Sequence, residues 1–262
     1  MMGPTHAASG LAAGAVAATA IGITEPAAIA AVSTITAGAA LLPDLDHPSA
    51  TLARTFGPVS KAASVATNKF SSTVATAIST KSDRGSDGVV GGHRTLTHTV
   101  FGVAAGAAWG WFAGLWETWG VLLLVFIMVS LAMAGVITSQ TRKWGAMGSL
   151  LVAAAVTAAI AYAAPETLTP AMLALFMGLG VLTHIAGDGV TVQGIPFLAP
   201  LKIGGKRWKR VHIVPSFLRF TAGQWPDKVL FAVFTAIAGF VLWESVAPGT
   251  AAGIADLTAA LI

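Results

Sequence analysis

Histidine and aspartate carry the chemical interest of this 262-residue chain, and five of its six histidines fall in short clusters far apart in sequence. His6 lies near the N-terminus. Leu41-Leu42-Pro43-Asp44-Leu45-Asp46-His47-Pro48 closes one apolar segment, His93-Arg94-Thr95-Leu96-Thr97-His98 opens another, and Thr183-His184-Ile185-Ala186-Gly187-Asp188 closes a third. The chain has no cysteine, which excludes disulfides and thiolate zinc sites. Imidazole and carboxylate together suit zinc first, and manganese or iron after it. His184 and Asp188 are i,i+4 and project from one helix face. Asp44 and Asp46 end an apolar run, where an ionised carboxylate is tolerated only if paired, solvated or metal-bound.

The first-choice ligands are His6, Asp44, His98, His184 and Asp188. Asp46, His47 and His93 are further ligands, partners that orient ligands, or a general base, and spacing does not separate these roles. The set exceeds what one tetrahedral zinc uses, leaving room for two ions. Such a pair stabilises both oxygens in a displacement at phosphorus. Arg94 is either an anion clamp on substrate or a basic anchor at the membrane surface. Thr97 and Thr191 are placed to hydrogen-bond ligands. His212, beside a basic run, and Asp83 and Asp87, in a charged loop, read as structural.

The elements that position these residues are apolar. Hydrophobic residues make up 55% of the chain and charged residues 10%, too little polar surface for a water-soluble globule. Seven segments, roughly 7–23, 27–42, 98–116, 119–138, 147–164, 170–187 and 228–247, approach the length of a bilayer span. The expected fold is therefore an all-α, polytopic membrane helical bundle of about seven spans, forming a single domain over 1–262. The first two spans are rich in Ala and Gly and suit close packing. Trp109, Trp111, Trp116 and Trp119 resemble an interfacial belt around a tight turn. Val59, Ala63, Ala66, Phe70, Val74 and Ile78 recur at near-helical spacing. They predict an amphipathic helix that either lies on the membrane or packs on the bundle. Residues 81–92 read as a glycine-rich charged loop, and the tail after Pro248 carries no clear pattern. Met-Met-Gly-Pro-Thr-His has no positive n-region, so a cleaved secretory signal is not expected.

Threading the spans alternately puts all fifteen Lys and Arg residues on one side, with every histidine and the aspartate clusters. Glu25, Glu117, Glu166, Glu244 and Asp256 fall on the other. The positive-inside rule makes the basic side cytoplasmic, in a bacterial-type inner (plasma) membrane. The surplus of positive charge then serves topology and contact with anionic lipid, and no nucleic acid is expected. Lys202 to Arg210, with Trp208, form a candidate patch for lipid phosphates.

Thr5-His6, Leu-Leu-Pro-Asp44-Leu-Asp46-His47-Pro48, His93-Arg94-x-x-Thr97-His98 and His184-x-x-x-Asp188-x-x-Thr191-x-x-Gly194 resemble, in order and spacing over about residues 5–200, the motifs of the YdjM-like membrane-bound metal-dependent hydrolases. Thr95 and Thr99 stand where the family often has Gly and Ser. The stretch Phe217 to Gly223 is similar to the family's C-terminal part, but Gln224 or Asp227 stands near the position where the family tends to have Glu. A fainter likeness, in the order His, Asp, His and His-x-x-x-Asp, links the chain to the zinc-dependent phospholipase C and P1-type nuclease group. The resemblance implies a metal-dependent hydrolase acting on a phosphoester or lipid-related substrate, with membrane lipids as partners. The alternative is a metal ion or proton transporter using the same cluster. Transport needs polar residues along the spans, and the last five offer mainly Ser130 and Thr157.

Overall fold

The structure is a computed structural model that describes residues 1–48, 50, 52–86 and 93–250. Asp87 and the glycines of the 88–92 stretch, and Asp256 with the tail from 251, lie outside the described residues. Proline occupies the first turn of five helices, where its missing N–H leaves no bond unmade. These are α1 (Gly3–Ala20), α2 (Pro26–Ala39), α4 (Pro58–Ile78), α9 (Pro170–Gly189) and α10 (Trp225–Val246). The rest are α3 (Leu52–Thr55), α5 (Lys81–Ser86), α6 (Val100–Leu115), α7 (Glu117–Val136) and α8 (Thr138–Ala163). Short 3-10 turns at Leu42–Asp46 and Leu96–His98 link them at the end of the bundle where α2 stops and α6 starts. No strand forms among the described residues; isolated bridges such as Thr191 with Phe220 and Ile195 with Val211 hold the 190–224 segment.

All seven expected helices are present, but five segments are long and apolar enough to cross a membrane: Pro26–Asp46, Glu117–Val136, Gln140–Ala163, Pro170–Gly189 and Trp225–Val246. Among the described residues these account for five of the seven expected spans. α6 is short, at 16 residues, and α1 is built largely of Ala, Gly and Thr, whose small side chains contribute little hydropathy. The interval 139–146 between the fourth and fifth expected spans is mostly helical, because α8 begins at Thr138 and bends at Gly145, where φ is 70°.

Small residues set the helix spacing. A Cβ at Gly110 of α6 would run into the backbone of Leu173 in α9, and one at Gly38 of α2 into the backbone of Met128 in α7. Without a hydrophobic drive between helices in lipid, such close backbone approach supplies the packing energy. The buried core runs through Ile29, Val32, Ile35, Leu124, Met128, Leu131, Leu173 and Phe176, so α2, α7 and α9 form the interior. Trp116 and Trp119 are 77% and 81% exposed at the turn between α6 and α7, as a belt requires.

α4 packs against the 3-10 turn that carries Asp44 and Asp46, and against α3. Its buried positions are Ser60, Ser64, Ser71 and Ala75, while Val59, Ala63, Ala66 and Phe70 are exposed. The polar side faces the protein and the apolar side faces out. Asp83 tethers the next segment: it accepts from the Thr80 backbone N–H (2.7 Å) and hydroxyl (2.8 Å) and from the backbone N–H groups of Arg207 (3.2 Å) and Trp208 (3.1 Å). Trp208, expected to meet lipid, is instead buried against Ala75 and Ala199.

Candidate metal centre

Four helix ends deliver the site. His6 sits in the first turn of α1, Asp44 and Asp46 in the turn after α2, His93 to His98 in the segment entering α6, and His184 with Asp188 in the last turns of α9. His6, His98, His184 and Asp188 are each at most 1% exposed. His6 stacks on His184 with ring centroids 3.7 Å apart. Asp188 Oδ1 lies 3.3 Å from His6 Nε2, and Asp188 Oδ2 lies 3.4 Å from His98 Nε2 and 3.8 Å from His184 Nε2. Asp44 Oδ1 is 3.7 Å from His184 Nε2. All five first-choice residues therefore converge.

Among the described residues, two groups of donor atoms are compact enough to hold an ion. The atoms of His6, His184 and Asp188 lie within 4.8 Å of one another, fully buried, and so do those of Asp44, His93 and His98, on the more open side.

The second ring nitrogens fix which lone pairs are free. His184 Nδ1 lies 2.7 Å from the Ala40 carbonyl, and can only donate to it. Thr97 Oγ1 donates to Asp46 Oδ2 at 2.5 Å, so the same oxygen accepts from His98 Nδ1 at 2.9 Å. His93 Nδ1 donates to Asp46 Oδ1 at 2.8 Å. With Nδ1 carrying the proton in each ring, each Nε2 presents a lone pair, the arrangement in which imidazole ligates a metal.

The Nε2 atoms of His98 and His184 then stand 3.2 Å apart. Two lone pairs at that separation repel unless bound positive charge draws on them. Neither ring nitrogen of buried His6 makes a well-aligned hydrogen bond, the 3.3 Å contact of Nε2 with Asp188 included, a costly state for a group removed from water. The donor set thus fits a divalent ion on charge, geometry and unmet hydrogen-bonding capacity.

The other expected residues take distinct places. Asp46 is fully buried and orients His93 and His98. Asn68 of α4 donates to the Asp46 carbonyl at 2.6 Å. His93 is 33% exposed and Asp44 20% exposed, and His47 meets His93 edge-on at 4.5 Å. These three mark the open side. Arg94 adopts a positive φ of 52° and turns inward. Its guanidinium is 7% exposed and gives NH2 to Asp188 Oδ1 at 2.8 Å and NH1 to Thr191 Oγ1 at 3.1 Å. Its charge is engaged with a carboxylate inside the protein and does not stand at the membrane surface. Thr191 also donates to the Asp188 carbonyl at 2.7 Å. The Met1 amino group contacts Asp188 Oδ1 as well. His212 stands outside the cluster, with Nε2 3.2 Å from the Val192 carbonyl.

Three contributors were not expected from sequence. Asn68 belongs to the polar side of a helix recognised from its apolar spacing, and the Ala40 carbonyl has no side-chain signature at all. Asp227, 2% exposed, accepts from the backbone N–H of Met2 (3.0 Å) and Gly223 (2.7 Å) and ties α10 to the start of α1, one turn before His6. Its position just after Gly223 was the available signal.

A family model described as YdjM inner membrane protein matches residues 1–141 and 134–251. No curated protein and no solved structure matches the chain.

Proposed function

The chain belongs to the YdjM inner membrane protein family, and from that premise we propose that it is a membrane-embedded, metal-dependent hydrolase acting on a phosphoester or lipid-related substrate at the cytoplasmic face. The observation that carries this reading is the set of three histidines, His93, His98 and His184, whose Nδ1 atoms are tied to fixed oxygens, with the Nε2 atoms of His98 and His184 turned toward Asp188 and, for His184, Asp44 as well. His6, His184 and Asp188 would hold one divalent ion, zinc by preference, and Asp44, His93 and His98 a second. When bound, such an ion supplies Lewis acidity to an ester oxygen and an adjacent water.

The residues of the chain do the rest. Arg94 offsets the charge of Asp188 and fixes its carboxylate. Asp46 holds His93 by Nδ1 and so fixes the orientation of that ring. His47, at the open side, is the group placed to take a proton from an attacking water and return it to the departing alcohol. The water oxygen replaces the ester oxygen, and the proton balance closes. Because the site lies at the end of the bundle, a charged head group enters from water while an apolar remainder stays in the bilayer.

Transport is less well supported. The hydroxyls of Ser130 and Thr157 bond carbonyls of their own helices, Phe126 at 2.7 Å and Ala153 at 2.8 Å. Among the described residues, α6 to α10 carry no line of carboxylates or imidazoles toward the far end. The test is metal analysis of detergent-purified protein, paired with a screen of phosphoesters and phospholipids with and without chelator. Near-stoichiometric metal and chelator-sensitive hydrolysis are expected. Metal flux through reconstituted protein, with no hydrolysis of any ester tried, would overturn the reading in favour of transport.

A further inference from the structure

α4 is built inside out for a helix packed on a water-soluble core. Ser60, Ser64 and Ser71 are buried together with Ala75, and Asn68 between them reaches the Asp46 carbonyl at 2.6 Å. These positions recur at i, i+4, i+8, i+11 and i+15 and form one stripe. The opposite stripe is apolar and uncovered: Val59 is 74% exposed and Phe70 62% exposed, with Ala62, Ala66 and Ala77 between and beyond them. Lys61 and Lys69 are exposed along one flank. α4 is not one of the membrane-crossing candidates. The elements it packs on most are α3 and the turns holding Asp44, Asp46 and His98, all at the metal-centre end of the bundle.

We propose that α4 lies in the head-group region of the leaflet on the metal-centre side, apolar stripe down into the acyl boundary, and forms a roof that the bilayer holds against Asp46. A helix with one apolar stripe, basic residues on its flank and a chain already fixed in a membrane by its neighbours has lipid as the occupant within reach. The charge complementarity is with anionic head groups, which Lys61 and Lys69 meet while their stems lie along apolar surface. The polar stripe is used by the protein, so the helix cannot bury its apolar side without turning Asn68 away from Asp46. The bilayer resolves that conflict by covering the outer side. The proposal concerns where α4 sits and holds whether or not the centre hydrolyses an ester.

The absence of cysteine makes the test direct. Single cysteines at Val59, Ala66, Phe70 and, as a control on the exposed polar end of the segment, Ser82 would carry an environment-sensitive fluorophore in nanodiscs containing phosphatidylglycerol. Labels at 59, 66 and 70 are expected to be quenched by brominated acyl chains at a depth of about 5–10 Å below the head-group boundary, and shielded from iodide. The label at 82 is expected to show the reverse. Iodide quenching at 59, 66 and 70 equal to that at 82 would overturn the proposal. So would shielding without bromine quenching that disappears when each nanodisc holds a single copy, because a second copy of the chain would then be the occupant.

Discussion

Asp188 is the most heavily engaged side chain in the centre, facing His6, His98 and His184 on one hand and Arg94 on the other. Asp188→Asn keeps the shape and removes the charge that a ligand carboxylate must carry. Bound metal is expected to fall, and hydrolysis to drop about a hundredfold or more, close to 3 kcal/mol of barrier. The helices should remain, since small-residue packing holds them. Undiminished hydrolysis by metal-free Asp188→Asn protein would end the metallohydrolase reading. Asp46→Asn tests the tier behind the ligands. It weakens the acceptor that orients His93 and His98, and metal affinity is expected to fall about 10–100-fold, read by competition with a fluorescent chelator. At this scale the motifs were legible, because i,i+4 spacing and helix-end placement bring His and Asp side chains to one depth without further information. The direction of Arg94 was not. A positive φ in the turn after His93 decides whether the guanidinium points out or in, and no residue type announces it. The Ala40 carbonyl was equally silent, because every residue has one.

At the scale of elements, the helices were readable from hydropathy and their starts from proline, while the way they face was not. The apolar periodicity of 59–78 identifies a helix but is silent on which side meets the protein. The structure places the serines inward because Asn68 and the Asp46 carbonyl satisfy one another there. The 190–224 segment has no periodicity to read, and is held by scattered bridges and by Asp83. Burial alone would raise the Asp83 carboxyl, but hydrogen bonds from Thr80, Trp208 and Arg207 outweigh it and hold its pKa below the usual carboxylate value. Its stabilising effect is therefore complete above about pH 4 and is lost as the pH falls through the lower folded-state pKa. Hydrogen exchange at the Arg207 and Trp208 amides should show protection at neutral pH that Asp83→Asn reduces by about tenfold, as expected for charge-assisted bonds. In wild type the same protection should fade only on strong acidification. Equal protection in both proteins across the range would mean that Asp83 holds nothing.

For the whole molecule, the ends of the bundle differ in charge as well as in chemistry. α2 runs from Glu25 toward Asp44, α6 runs from His98 toward Glu117, α9 runs from near Glu166 to Asp188, and α10 runs from Asp227 to Glu244. Each of these glutamates thus stands at the end away from the metal centre. Arg142 lines a cavity of about 470 Å³ together with Thr55 of α3, which places the start of α8 at the metal-centre end. Lys61, Lys69 and Arg207 share that end through α4 and its contact with the 200–210 segment. Loops rich in Lys and Arg are as a rule retained in the cytoplasm, and the proposed orientation puts the metal-centre end there. In intact cells, a single cysteine at Ser82 should therefore be shielded from a membrane-impermeant maleimide, and one at Pro165, between α8 and α9, should react. Permeabilisation should equalise the two. The reverse pattern would place the centre outside the cytoplasm, and the substrate would then have to be sought among molecules of the outer leaflet.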